Sequence, residues 1–154
     1  MKRTPLKRKT PLKKKRATPR RKAKKKTRTA QQLKRDLQKV FNRWIRRRDS
    51  QITGYGHCCS CGATLAFEDM EAGHYIHNCS ALRYDERNVH GQCTTCNKWK
   101  HGNPTGYALF LVRRYGPELL EELDALRQTR KHWTKTELEE MLADYKARLK
   151  EVEK

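Results

Sequence analysis

The chain has 154 residues, enough for one domain with appendages rather than two full domains. Only 35% of them are apolar, so any core is small and of a kind that commonly needs a staple. The formal net charge of +20 points to a polyanionic partner, and the absence of a run of about 18 apolar residues excludes a helix spanning a membrane.

Residues 1–30 hold 16 Lys and Arg and no acid, and so carry +16 of the +20. Thr4-Pro5-Leu6-Lys7 recurs as Thr10-Pro11-Leu12-Lys13, with a fainter echo at Thr18-Pro19. Proline removes hydrogen-bond donors, like charges repel, and little apolar surface is on offer, so residues 1–29 are expected to form a disordered basic arm. Its functional reading is DNA binding, with Lys13, Lys14, Lys15, Arg16, Arg20, Arg21, Lys24, Lys25 and Lys26 laid along phosphates and a strong salt dependence. A solvated tail or a localisation signal is the alternative. The basic start has no apolar segment behind it, unlike a secretory signal, so a cytoplasmic location is expected. In that reducing compartment paired cysteines more often bind metal than form disulfides.

A helix is expected over residues 30–49. Thr29 and Gln32 have capping-box spacing, and Leu33, Leu37, Val40, Phe41, Trp44 and Ile45 recur as one apolar stripe. Arg43, Arg46, Arg47 and Arg48 crowd its C-terminal end, where they suit the helix dipole and read either as DNA surface or as a solvated face. Residues 50–116 are the segment with chemistry, rich in Gly, Cys, His and Asn before a helix that starts at Pro104 and stops at Gly116-Pro117. Tyr107, Leu111 and Tyr115 share one face of it. Residues 117–154 are expected to form a helical hairpin. Its first helix runs from Pro117 to about Arg130 with Leu119, Leu120, Leu123 and Leu126. Its second begins at Thr134, with Glu137 at capping-box spacing, and carries Leu138, Met141, Leu142, Tyr145, Leu149 and Val152. This third of the chain has net charge −2, which suits packing or a partner surface better than phosphate contact.

Two Cys-x-x-Cys pairs, Cys58/Cys61 and Cys93/Cys96, offer four thiolates, the donor set of a tetrahedral structural zinc. Zinc binding would supply stabilisation that a small core lacks. Cys59 is an alternative to Cys58, and Cys79 reads as a free or buried thiol. The 31 residues between the pairs are too many for the tip of a single finger. They contain Glu71-Ala72-Gly73-His74-Tyr75-Ile76-His77 and Arg87-Asn88-Val89-His90, and Asn97 follows the second pair directly.

The order Cys-x-x-Cys, His, Asn, Cys-x-x-Cys-Asn resembles the HNH, or ββα-metal, nucleases. The run from Gly73-His74 through Ser80-Ala81-Leu82-Arg83-Tyr84-Asp85, Asn88, Gln92-Cys93, Cys96-Asn97, Gly102-Asn103 and Tyr107 resembles the NinG (Rap) recombination proteins of lambdoid phages. That resemblance covers most of residues 30–130. It implies an α+β, mainly helical fold with a small zinc-stapled ββα-metal core at 50–116 between flanking helices. It implies a metal-dependent endodeoxyribonuclease that cuts branched recombination intermediates such as Holliday junctions and D-loops. It further implies a phage-encoded protein acting in the bacterial cytoplasm with other phage or host recombination proteins. Two coordinated cuts in a junction would call for a homodimer, for which the C-terminal helices are the candidate contact.

By the resemblance, His74 is the general base that activates water, Asn97 a ligand of a catalytic Mg2+ or Mn2+ ion, and Asn88 the residue that fixes the loop orienting His74. Gly73 stands where an Asp ligand often precedes the base; Glu71 is the substitute candidate, with Asp69 or His77 behind it. The chemistry is coherent, because imidazole titrates near neutrality and a hard cation absorbs charge at a scissile phosphate. Other readings stay open: His74 as a fourth zinc ligand, Asn97 as a helix cap, and His77, His90 and His101 as hydrogen-bonded loop residues. Arg83, Arg87, Lys98 and Lys100 are candidate phosphate contacts, with solvated charge as the alternative. Trp99 and Tyr84 read as packing residues, with stacking on an unpaired base as the second reading. A non-catalytic zinc module that binds nucleic acid, or an RNA-binding protein, would use the same charge and thiols without the His74 chemistry.

Overall fold

The computed structural model describes residues 27–50 and 53–153. The basic arm expected at residues 1–29 lies outside the described residues for all but its last three positions. Helix α1 runs Ala30–Asp49, and its start is a complete capping box in which Gln32 N donates to Thr29 Oγ1 and Thr29 N donates to Gln32 Oε1. Two antiparallel hairpins follow: β1 (Tyr55–His57) with β2 (Thr64–Ala66), and β3 (Met70–His74) with β4 (Val89–Cys93). A π-helical turn at Thr95–Trp99 leads to α2 (Pro104–Tyr115), α3 (Glu118–Leu126) and α4 (Lys135–Val152), the last again opened by a capping box, Thr134 with Glu137. The fold is α+β, with about 54% of the described residues helical, and the cysteine- and histidine-rich segment rests on two short hairpins held by helices.

Two apolar clusters explain how. Leu33, Leu37, Phe41, Trp44 and Ile45 of α1 meet Leu138, Leu142 and Tyr145 of α4, and the underside of the second hairpin adds Tyr84 and Val89. Phe41 stands edge-on to Tyr84 and Tyr145, with ring centroids 5.6 and 5.0 Å away. The second cluster joins Ile76, Cys79 and Leu82, from the segment between β3 and β4, to Tyr107 and Leu111 of α2 and Leu119 and Leu123 of α3.

The expected hairpin over 117–154 is therefore not formed. Helix α4 lies along α1, while α3 packs against α2. The apolar stripe of α1 is 20 residues long, and among the described helices only α4, with 18, has the length to cover it; α3 has 9. Helix α3 also stops at Leu126 rather than about Arg130. The Cys79 thiol donates to the carbonyls of Leu126 and Thr129, and Ser80 accepts from Lys131 N and Trp133 Nε1, so the chain after Leu126 is claimed by the segment following β3.

Of the arginines closing α1, Arg43 is exposed and pairs with Glu153, whereas Arg46, Arg47 and Arg48 are half-buried against the rest of the fold. Arg46 donates to Met70 O, and Arg47 lies 3.7 Å over the Phe67 ring. Arg48 pairs with Asp49 and donates to the carbonyls of Glu86 and Val89, while Asp49 accepts the Gly91 amide. Together they fasten α1 to both strands of the second hairpin.

Candidate functional site

The four cysteines come together at the junction of the hairpins. Cys58 and Cys61 sit in the turn between β1 and β2, which closes through Cys58 N donating to Ala63 O and Gly62 N to Cys58 O. Cys93 ends β4 and Cys96 lies one turn on, its amide donating to Cys93 Sγ at 3.3 Å. All four Sγ atoms lie within 4.8 Å of one another, close enough to hold a metal ion. Burial pushes the Cys58 and Cys96 thiols up, whereas the Ala63 amide holds Cys61 below its ordinary value. Cys59 is not part of this set: its amide donates to Gly91 O, and burial pushes its thiol far up. Cys79 is a buried thiol, as read from sequence, but it also has a structural contact that its position in the sequence did not signal.

His74 ends β3 and lines a cavity of about 180 Å³ with Gln38, His77, Asn78, Cys79 and Arg83. Its Nε2 lies 3.1 Å from the Arg83 carbonyl. A carbonyl only accepts, so Nε2 carries the proton and Nδ1 keeps its lone pair. Burial, with the charges of His77 and Arg83 adding to it, holds the imidazole below its ordinary pKa and therefore neutral at pH 7.

Asn88 is fully buried and braces the backbone next to His74. Its Oδ1 accepts from Ile76 N, its Nδ2 donates to the carbonyls of Ile76 and Leu82, and its own carbonyl accepts from Tyr75 N. A second brace comes from α2. Tyr107 Oη donates to Gly73 O at 2.9 Å, so the Nδ1 of the buried His90 donates to Tyr107, and its Nε2 accepts from Tyr115. Burial and the Arg48 charge push His90 down to about 3, keeping it neutral in this chain of bonds. The sequence places Tyr107 on one helical face and among the residues that carry the family resemblance, but it assigns Tyr107 no contact and does not single out Gln38. Helical spacing announces a buried face, but it does not show which hydroxyl reaches a strand carbonyl.

Glu71 and Asn97 are brought together, but not with His74. Asn97 Nδ2 donates to Glu71 Oε2 at 2.7 Å, while Lys98 Nζ and Thr94 Oγ1 contact Glu71 Oε1 at 2.6 and 3.2 Å. Side chains alternate along a strand, so Glu71, three residues before His74, faces the other side of β3. None of the residues lining the His74 cavity is acidic. A side chain at Gly73 would run into the amide of Gln92, which is buried and donates to Ser60 Oγ and Gly102 O. The position before His74 is thus closed to an acid by packing.

The candidate phosphate contacts divide. Arg83 is exposed at the His74 cavity, and Lys100 is exposed beyond the second cysteine pair. Arg87 is paired with Asp85 and Glu122, and Lys98 with Glu71. Lys13, Lys14, Lys15, Arg16, Arg20, Arg21, Lys24, Lys25 and Lys26 lie outside the described residues. Tyr84 is buried, as a packing residue should be, whereas Trp99 is not packed but 77% exposed.

Residues 1–154 match the family model described as Bacteriophage Lambda NinG protein. The chain is 38% identical over 120 residues to protein ninG of Escherichia phage 933W, an alignment covering 77% of this chain and 57% of that protein. It is 37% identical over 120 residues to protein ninG of Escherichia phage lambda and of Salmonella phage P22, in each case over 77% of this chain and 56% of the relative. The chain thus spans a little over half the length of these relatives. No solved structure matches it.

Proposed function

The chain belongs to the NinG family of bacteriophage proteins, and from that premise we propose that it is a structure-specific endonuclease cleaving branched DNA by phosphodiester hydrolysis. One observation carries the reading: a neutral imidazole, His74, at a strand end in a solvent-open polar cavity beside an exposed arginine, Arg83. With Nε2 donating to the Arg83 carbonyl, Nδ1 is the basic atom and takes a proton from attacking water. The Arg83 guanidinium holds the phosphate, and Asn88 with the Tyr107–His90 chain keeps the backbone around His74 from yielding.

Two metal ions belong to the reading. Zinc is the ion for Cys58, Cys61, Cys93 and Cys96: zinc–sulfur bonds of about 2.3 Å set sulfurs about 3.8 Å apart in a tetrahedron, and Cys61 and Cys93 are already at 3.9 Å. It would fasten the hairpins together. A catalytic Mg2+ or Mn2+ would absorb charge at the scissile phosphate. Glu71 and Asn97 do not fit that ion as they stand, because Lys98 already neutralises the carboxylate and the Asn97 amide presents its nitrogen.

This mismatch favours a second reading, a non-catalytic zinc protein that binds nucleic acid. The deciding assay is cleavage of a synthetic four-way junction with Mg2+ or Mn2+, with linear duplex and His74→Ala as controls. Cutting that needs His74 while binding survives its loss supports the nuclease; wild type that binds junctions and never nicks them overturns it. Competition between structured RNA and branched DNA separates an RNA-binding role. Symmetric junction cleavage also calls for a homodimer, and a protein sedimenting as a monomer both free and on a junction refutes that part. Helix α4 has already committed Leu138, Leu142 and Tyr145 to α1, so the contact would lie elsewhere.

A further inference from the structure

Trp99 is more exposed than any other large apolar side chain among the described residues. It does not stand on a loose tip. Lys100 N donates to Thr95 O and Gly102 N to Cys96 O, and Cys96 is one of the four converging thiols, so the turn that presents the indole is held at its base. The indole's surroundings are cationic. Lys98, Lys100 and His101 flank it in sequence and are exposed, and no acid lies between Cys93 and Pro117. Across the turn the one carboxylate that meets Lys98 is Glu71.

The turn also lies near the His74 cavity. A side chain at Gly102 would come within 2.9 Å of His77 Nε2, and His77 lines that cavity. Trp99 is three residues from Gly102, which places their Cα atoms at most about 11 Å apart, roughly three base steps.

We propose that Trp99 is a stacking platform for an unpaired nucleobase, engaging the base exposed at a branch point while the neighbouring phosphate enters the His74 cavity. The inference rests on the branched-DNA reading above and adds the means of telling a branch from a duplex. In a duplex every base is already stacked, so an exposed indole gains little there; at a branch a base is free to lie on it. An aromatic face flanked by cations suits a base between two phosphates. An apolar protein partner would need a continuous apolar patch, and the neighbours of Trp99 in sequence are charged or polar and exposed.

The test measures binding of the whole 154-residue, metal-loaded chain without added Mg2+ or Mn2+, so that cleavage does not interfere. Its probes are a four-way junction carrying an unpaired 2-aminopurine at the branch point and a linear duplex of the same length. Wild type should quench the 2-aminopurine. Trp99→Ala should lose the quench and about 10-fold in junction affinity while duplex affinity stays unchanged, and Trp99→Phe should retain most of both. Equal losses on junction and duplex, an unaltered junction affinity or an unaltered quench overturns the proposal. So does a Trp99→Ala protein that keeps its junction affinity but changes its sedimentation, which would make the indole a protein contact. Wild type that quenches the probe but never cuts removes the nuclease reading and leaves the stacking intact. Wild type with no affinity for branched DNA removes both.

Discussion

Gly73→Ala replaces one hydrogen at the centre of the site with a methyl group. An added Cβ would lie 1.9 Å from Gln92 Oε1 and 2.7 Å from its Cδ, so the Gln92 side chain must move. A surface glutamine would swing away at little cost. Gln92 is fully buried, and its Nε2 is held by Ser60 Oγ at 2.6 Å and Gly102 O at 2.7 Å. Overpacking of this kind costs about 1–3 kcal/mol, and each buried hydrogen bond lost adds about 1 kcal/mol. A total of about 2–4 kcal/mol lowers the melting temperature by roughly 4–16 °C in a domain of this size. The assay is thermal unfolding of the metal-loaded protein followed by circular dichroism. Gln92→Ala should also destabilise, because it leaves a void and strands the Gly102 carbonyl. In the Gly73→Ala background it removes the clash, so the double variant should be more stable than the two single effects summed. A Gly73→Ala protein melting within a degree or two of wild type, or strict additivity, would refute the claim that Gln92 is what bars a side chain before His74.

Cys93→Ser should remove metal binding and with it cooperative folding of the hairpins; a fully folded, metal-free variant by near-ultraviolet circular dichroism and elemental analysis contradicts a structural ion. Because His74 has a lowered pKa, its basic form persists to lower pH, and the acid limb of cleavage should fall below the ordinary histidine value of about 6.5. Arg83→Gln removes one of the charges responsible and should move that limb upward, read from a pH–rate profile; a wild-type limb above the ordinary value contradicts the assignment. Deleting residues 1–28 should weaken DNA binding and flatten the dependence of log affinity on log salt while the melting temperature holds; an unchanged slope rules the arm out as a phosphate contact.

Much of this was written locally. The helix at Ala30–Asp49, its Thr29 box, the Thr134–Glu137 box and the stop at Gly116 follow from side chains that bond or pack within a few residues of themselves, and such patterns survive in one dimension. The cysteine pairs were legible for the same reason, since each knuckle is a local turn, and a charge of +20 needs no fold to raise the expectation of a polyanionic partner. Which elements meet was decided by tertiary structure. The α3–α4 hairpin looked plausible because the two helices are neighbours in sequence, yet α1 offered α4 the longer apolar face, and Cys79 and Ser80 drew the chain between them away. The site residues were read as one constellation around the second cysteine pair. Strand alternation instead sends Glu71 and His74 to opposite faces of β3, and Gln92, one strand over, fills the space at Gly73. Spacing along a chain gives residue types and local geometry; which face a side chain takes, and what already occupies the space there, depends on partners distant in sequence, and that is why His74 stands with His77 and Arg83 while Asn97 stands with Glu71.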